Sequence, residues 1–190
     1  ALVYLNKALE IEEKVLDPQH PDPDLASTYN NLGAAYDRKG EYDNALVYLN
    51  KAREIRENVL DPLHPRLATT YNNLGTTYTR KGEYDNALEF YKKALEIDEK
   101  VLDPLHRDLA TTYYNIGGVY NRKGQYDEAL KCFNKTLEIE EKVLDPMHPD
   151  LAATYNNIGV VYDDKGEYDN ALEYYNKARE IWENVLAPQH

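Results

Sequence analysis

Apolar positions recur along this chain with the period of a helix face, and the pattern breaks at regular intervals. In the stretch Leu67–Pro104, the residues Leu67, Tyr71, Leu74, Gly75 and Tyr78 share one face of a predicted helix. A second run of the same kind follows in Ala87, Leu88, Tyr91, Ala94, Leu95, Val101 and Leu102. Lys81-Gly82 stops the first run, since the cation suits the last turn and glycine accepts a left-handed cap. Asp103-Pro104 stops the second, because proline disfavours helix in the residue before it. His64-Pro65 and His148-Pro149 then place proline at the first position of the next helix. Links this short predict antiparallel packing of consecutive helices.

The whole unit recurs every 42 residues. Gly33, Gly75, Gly117 and Gly159 fall inside the first helices, and Gly40, Gly82, Gly124 and Gly166 end them. About two thirds of Leu67–Arg107 is identical to Leu109–Pro149, which marks an internal repeat of supersecondary size. Helices are predicted near 23–39, 42–60, 66–81, 84–102, 107–123, 126–144, 149–165 and 168–186. A further second helix opens the chain, where Ala1–Ala8 matches Ala45–Ala52, so about nine helices are expected. The fold class is all-α. The expected organisation is a single array over 1–190: an orphan second helix with its junction over 1–22, then repeats over 23–65, 66–106, 107–148 and 149–190. Glycine inside a helix costs about 1 kcal/mol against alanine. Gly33, Gly75, Gly117 and Gly159 therefore predict close helix approach, with Ala45, Ala87, Ala129 and Ala171 as the matching small surface.

Composition narrows the function classes. The chain has 18 Tyr against 2 Phe, and tyrosine packs its ring while its hydroxyl reaches water, as a thin core requires. The net charge of −12 argues against nucleic acid and against an anionic membrane surface. One cysteine, Cys132, allows no internal disulfide, which favours a reducing compartment, expected to be the cytoplasm. No apolar run approaches the length of a membrane helix and no signal peptide is visible. The chain begins at Ala1 inside a repeat and is expected to be a piece of a longer protein.

Tyr71, Leu74-Gly75, Tyr78, Gly82-Glu83-Tyr84, Ala87, Tyr91 and Ala94 together resemble the tetratricopeptide repeat (TPR) signature. The 42-residue period, with His-Pro before the first helix and Tyr-Asn-Asn-Leu inside it, is similar to the lengthened repeats of kinesin light chains. One departure is Leu-Asp-Pro, at Leu60-Asp61-Pro62 and its copies, where kinesin light chains usually carry Leu-Gly. The resemblance implies a right-handed superhelical solenoid of antiparallel helix pairs, whose first helices line a concave groove for a protein or peptide.

By motif position, the resemblance places three groups of residues in that groove. The first is the ladder Asn31, Asn73, Asn115 and Asn157. An amide there offers donor and acceptor to a peptide backbone, or bonds the neighbouring helix instead. The second is Arg38, Arg80 and Arg122, broken by Asp164, which favours an acidic peptide unless these cations merely suit the helix dipole. The third varies and would set specificity: Asn30, Asn72, Tyr114 and Asn156; Ala34, Thr76, Gly118 and Val160; Asp37, Thr79, Asn121 and Asp163. These residues do not compose the carboxylate clamp of chaperone-tail binders. The expected function is a non-catalytic protein-interaction scaffold. The alternatives are a module that self-associates through uncapped ends, at Leu2, Leu5, Leu9 and Trp182, or a scaffold for an enzyme elsewhere in a parent chain.

No catalytic, metal or cofactor motif stands out. His20, His64, His106, His148 and His190 recur once per repeat, too far apart to converge on zinc, and are read as capping or junction residues. Cys132 replaces an aromatic found at Tyr48, Phe90 and Tyr174 and is read as a part-buried thiol. Trp182 stands where other copies carry Glu12, Arg56, Asp98 and Glu140, and is expected to meet a further repeat or another molecule, unless it is an exposed aromatic packed on its own helix.

Overall fold

Each helix boundary expected from residue 23 on is met within one residue. The computed structural model describes residues 23–186 together with Lys7 and Leu9. Its helices are α1 (Pro23–Arg38), α2 (Tyr42–Val59), α3 (Pro65–Lys81), α4 (Tyr84–Val101), α5 (Arg107–Arg122), α6 (Tyr126–Val143), α7 (Pro149–Asp164) and α8 (Tyr168–Leu186). Among the described residues every regular element is helical. The helix expected ahead of α1 lies outside the described residues except for Lys7 and Leu9, both helical.

Local chemistry sets these limits. His64, His106 and His148 each precede a first helix, and each Nδ1 accepts the backbone N–H two residues on, at 3.1 Å. That satisfies one orphan donor of the first turn. The Asp of each Asp-Pro pair builds the turn before it. Asp61, Asp103 and Asp145 accept the N–H of Leu63, Leu105 and Met147 at 2.8, 2.8 and 2.9 Å. The departure from Leu-Gly thus replaces one turn chemistry with another, in which a short acidic side chain bonds its own backbone. At the other end of α3, Gly82 has φ 85° and Glu83 donates to the Tyr78 carbonyl at 2.9 Å, a left-handed cap that a Cβ would strain. Gly40, Gly124 and Gly166 repeat it.

The chain divides into two compact units, Ala1–Val101 and Leu102–His190. In the first, α1 packs on α2, α2 on α3 and α3 on α4, while the first helices α1 and α3 also touch. The second repeats this with α5, α6, α7 and α8. The core of each unit is a strip passed from one helix pair to the next. Leu46 and Leu49 of α2, Leu67, Tyr71 and Leu74 of α3, and Phe90, Ala94 and Ile97 of α4 form one buried cluster. Ala129 and Phe133 of α6 join Ile158 and Val161 of α7 in the second unit. Stacked rings recur along the strip: Tyr36 on Tyr48 at 5.4 Å, Tyr78 on Phe90 at 5.6 Å, and Tyr162 on Tyr174 at 5.6 Å. Cys132 holds that register in α6 and is half-buried.

The glycines do mark close approach, but the surface they meet is larger than expected. A Cβ on Gly75 would lie 2.7 Å from the Tyr91 ring, and one on Gly117 would lie 3.0 Å from the Phe133 ring. On Gly33 it would meet the Leu49 side chain at 2.5 Å, with the Ala45 carbonyl at 3.1 Å. Helical side chains lean toward their own N-terminus. The residue four positions after each alanine therefore covers the glycine, and at Gly33 and Gly159 the alanine carbonyl adds a backbone contact.

Candidate functional site

The expected docking residues lie on the first helices, and the structure ties several of them to one another. Contacts between neighbouring first helices join residues 43 apart, one more than the repeat period. In the first unit the Asn73 amide donates to the Asn30 side-chain carbonyl at 3.1 Å. In the last turn of α3, Arg80 pairs with Asp37, which is buried. In the second unit the Asn157 amide donates to the Tyr114 hydroxyl at 2.5 Å, and Asn121 donates to Asp164 at 3.2 Å. Arg107 reaches Asp150 at 3.0 Å. These rungs bind parallel helices side by side; for Asn73 and Asn157 they are the alternative the sequence left open, a bond to the neighbouring helix.

The asparagine ladder is thus in two states. Asn73 and Asn157 use an amide nitrogen on the preceding first helix, which fixes the side-chain rotamer. Asn31 is exposed and Asn115 is half-buried, and among the described residues neither makes a side-chain hydrogen bond. Asn72 and Asn156 are half-buried, and Asn30 is buried beneath Asn73. The arginines divide in the same way. Arg80 is held by Asp37, whereas Arg38 and Arg122 are exposed and unpaired among the described residues. The adjacent lysines have a separate role. Lys81 reaches Asp43 and Lys165 reaches Asp127, each at 3.0 Å, tying a helix end to the second helix of the preceding repeat.

A second set of contacts runs from each second helix to the next first helix. Arg56 is buried and donates to Thr70 at 2.6 Å, to the Arg66 carbonyl at 2.9 Å and to Ser27 at 3.2 Å. Burial lowers its pKa from the ordinary arginine value, with Arg66 adding repulsion. The equivalent Glu140 accepts from Thr154 at 2.7 Å, and burial raises its carboxyl above the usual range. Trp182 occupies the same register on α8 and is 38% exposed, beside exposed Val185. Leu9 is covered by Tyr29, Leu32 and Ala52, while Leu2 and Leu5 lie outside the described residues. His20 and His190 also lie outside them. Among the described residues no group of three or more His, Cys, Asp or Glu is placed to hold a metal ion. No helix among them is long and apolar enough to cross a membrane.

A sequence model of the tetratricopeptide repeat matches residues 24–100 and 108–190. Solved structures agree. Nearly identical TPR-like repeats from a Podosopora anserina protein described as a kinesin light chain superpose with a TM-score of 0.82 at 22% identity, over 98% of this chain and 87% of that one. BtubC (BKLC) from P. vanneervenii gives 0.86 at 25% identity, over 98% and 73%. MamA gives 0.68 at 28% identity, over 95% and 90%. Among curated protein sequences none matches significantly.

Proposed function

The chain belongs to the tetratricopeptide repeat family, and from that premise we propose that it binds an extended segment of a partner protein along its first helices. A scaffold for protein–protein contacts is what this fold implies. The observation that carries the finer reading is the asparagine register. Asn31 and Asn115 present amides that no described residue engages, and Asn73 and Asn157 are held by their nitrogens with the carbonyl left as an acceptor. An extended peptide has one N–H and one C=O per residue to meet the asparagine pair of either unit. Arg38 in the first unit and Arg122 in the second each add an exposed donor suited to a carboxylate on a segment bound there.

The test is selection of a random extended-peptide library on the intact 190-residue chain, followed by calorimetry of the selected peptide. Asn31→Ala with Asn115→Ala removes two amides that the fold does not use. Affinity is expected to fall roughly tenfold or more, at about 1 kcal/mol per lost bond, with an unchanged melting temperature. Unchanged affinity, or failure to select any peptide, would sink the reading.

A second reading, self-association, is favoured by one observation: Trp182 and Val185 stand exposed on α8, at 38% and 48%. Sedimentation across a range of concentrations decides it. A strict monomer removes it, and a dimer dispersed by Trp182→Glu supports it.

A further inference from the structure

The two units carry opposite charges at the same corner. In the first, the corner where α2 meets α1 and α3 is built from Arg56, Arg66, Ser27 and Thr70, and the Arg56 guanidinium fills it. Eighty-four residues on, two repeats later, the same positions are Glu140, Asp150, Thr111 and Thr154. Glutamate is shorter than arginine and turns to Thr154 at 2.7 Å. What remains is a cavity of about 260 Å³ lined by Thr111, Tyr114, Glu140, Asp150 and Ala153. That is below the roughly 300–1,000 Å³ of drug-sized ligand pockets and on the scale of one long side chain.

Its lining is rich in acceptors. Glu140 uses one carboxylate oxygen on Thr154, and Asp150 uses one on Arg107 at 3.0 Å, which leaves an oxygen on each. The Thr111 hydroxyl spends its proton on the Arg107 carbonyl at 3.1 Å. The Tyr114 oxygen already accepts from Asn157. Burial, and to a lesser degree the nearby Asp150, holds the Glu140 carboxyl above its ordinary range, while the Thr154 bond, His148 and Arg107 act the other way. An entering cation would favour the ionised carboxylate. A whole-chain charge of −12 draws cationic segments to it.

We propose that the corner between α5, α6 and α7 receives the guanidinium or ammonium group of an arginine or lysine on the bound partner segment, with Glu140 and Asp150 as its anionic acceptors. The assignment rests on the groove reading above and adds a cationic anchor to it. The fold itself supplies the precedent, since Arg56 occupies the matching space in the first unit.

The test titrates N-acetyl-arginine amide, N-acetyl-lysine amide and the neutral isostere N-acetyl-citrulline amide into the isotope-labelled full chain, reading amide shifts of Thr111, Tyr114, Asp150 and Ala153. Saturable shifts are expected with the two cations and not with citrulline. Glu140→Gln is expected to weaken arginine-amide binding at least tenfold. Glu140→Arg, which copies Arg56, is expected to abolish it with a retained helical spectrum. No saturable shift with the cations, or equal binding by Glu140→Gln, overturns the proposal. Tighter binding of free arginine than of the capped form would make the corner an amino-acid site and overturn it too. If library peptides bind through Asn31 and Asn115 while arginine amide does not, the corner fails and the groove stands. If arginine amide binds while no peptide is selected, the groove reading fails and the corner remains a cation site.

Discussion

Asn73 donates a 3.1 Å hydrogen bond to the side-chain carbonyl of Asn30, from one first helix to the next. One amide thus stitches two repeats together and faces the surface proposed for a partner. Its nitrogen is committed to the fold and its carbonyl is not.

This relationship is measurable as a coupling. Asn30→Ala and Asn73→Ala are each expected to destabilise the chain by about 1 kcal/mol in urea denaturation. The double variant is expected to cost less than the sum by about 0.5–1 kcal/mol. Strict additivity would mean that the bond contributes nothing. Asn31→Ala, with no described partner, is expected to stay within about 0.5 kcal/mol of the parent.

Two glycines in first helices are expected to answer alanine in opposite ways. Gly75 lies under Tyr91, and a Cβ would stand 2.7 Å from its ring. Gly75→Ala is expected to lose about 1–3 kcal/mol to overpacking, outweighing the gain in helix propensity. A Cβ on Gly118 would meet no neighbouring atom within 4 Å. Gly118→Ala is expected to gain up to about 1 kcal/mol. Thermal melting of the two variants beside the parent checks both signs.

Alkaline pH is expected to unfasten the junctions between helix pairs. Burial, and then the bond to Glu57, pushes the Tyr71 hydroxyl from 10.0 up to about 12. Burial and Glu141 raise Tyr155 as well. A folded value above the unfolded one means stability is complete below pH 10.0 and is lost as pH climbs from there through about 12. Phenolate absorbance is expected to show late-titrating tyrosines whose ionisation tracks the loss of helical circular dichroism. Glu57→Gln is expected to let Tyr71 ionise earlier. Ionisation of every tyrosine near 10.0 with intact helices would contradict this.

Helix ends were legible because their causes are local. Gly82 needs only its own left-handed φ, and His64 needs only the N–H two residues away. The same locality explains the 42-residue period and the apolar face of Leu67, Tyr71 and Leu74. The candidate docking ladder was legible by position only. Whether an asparagine faces solvent or bonds its neighbour depends on how first helices sit side by side. That offset, 43 residues against a period of 42, is a property of packing.

The sequence by itself determined the helices, their order, the repeat and the family, because hydrophobic period, caps and breakers act over a few residues. Only the tertiary structure decided that Gly75 meets Tyr91 rather than Ala87, since side chains lean back along their helix. It alone brought Glu140 to Asp150 beside a cavity where Arg56 fills the equivalent space. Those residues lie ten apart on different elements. No local periodicity pairs them; only the packing of a second helix against the next first helix does.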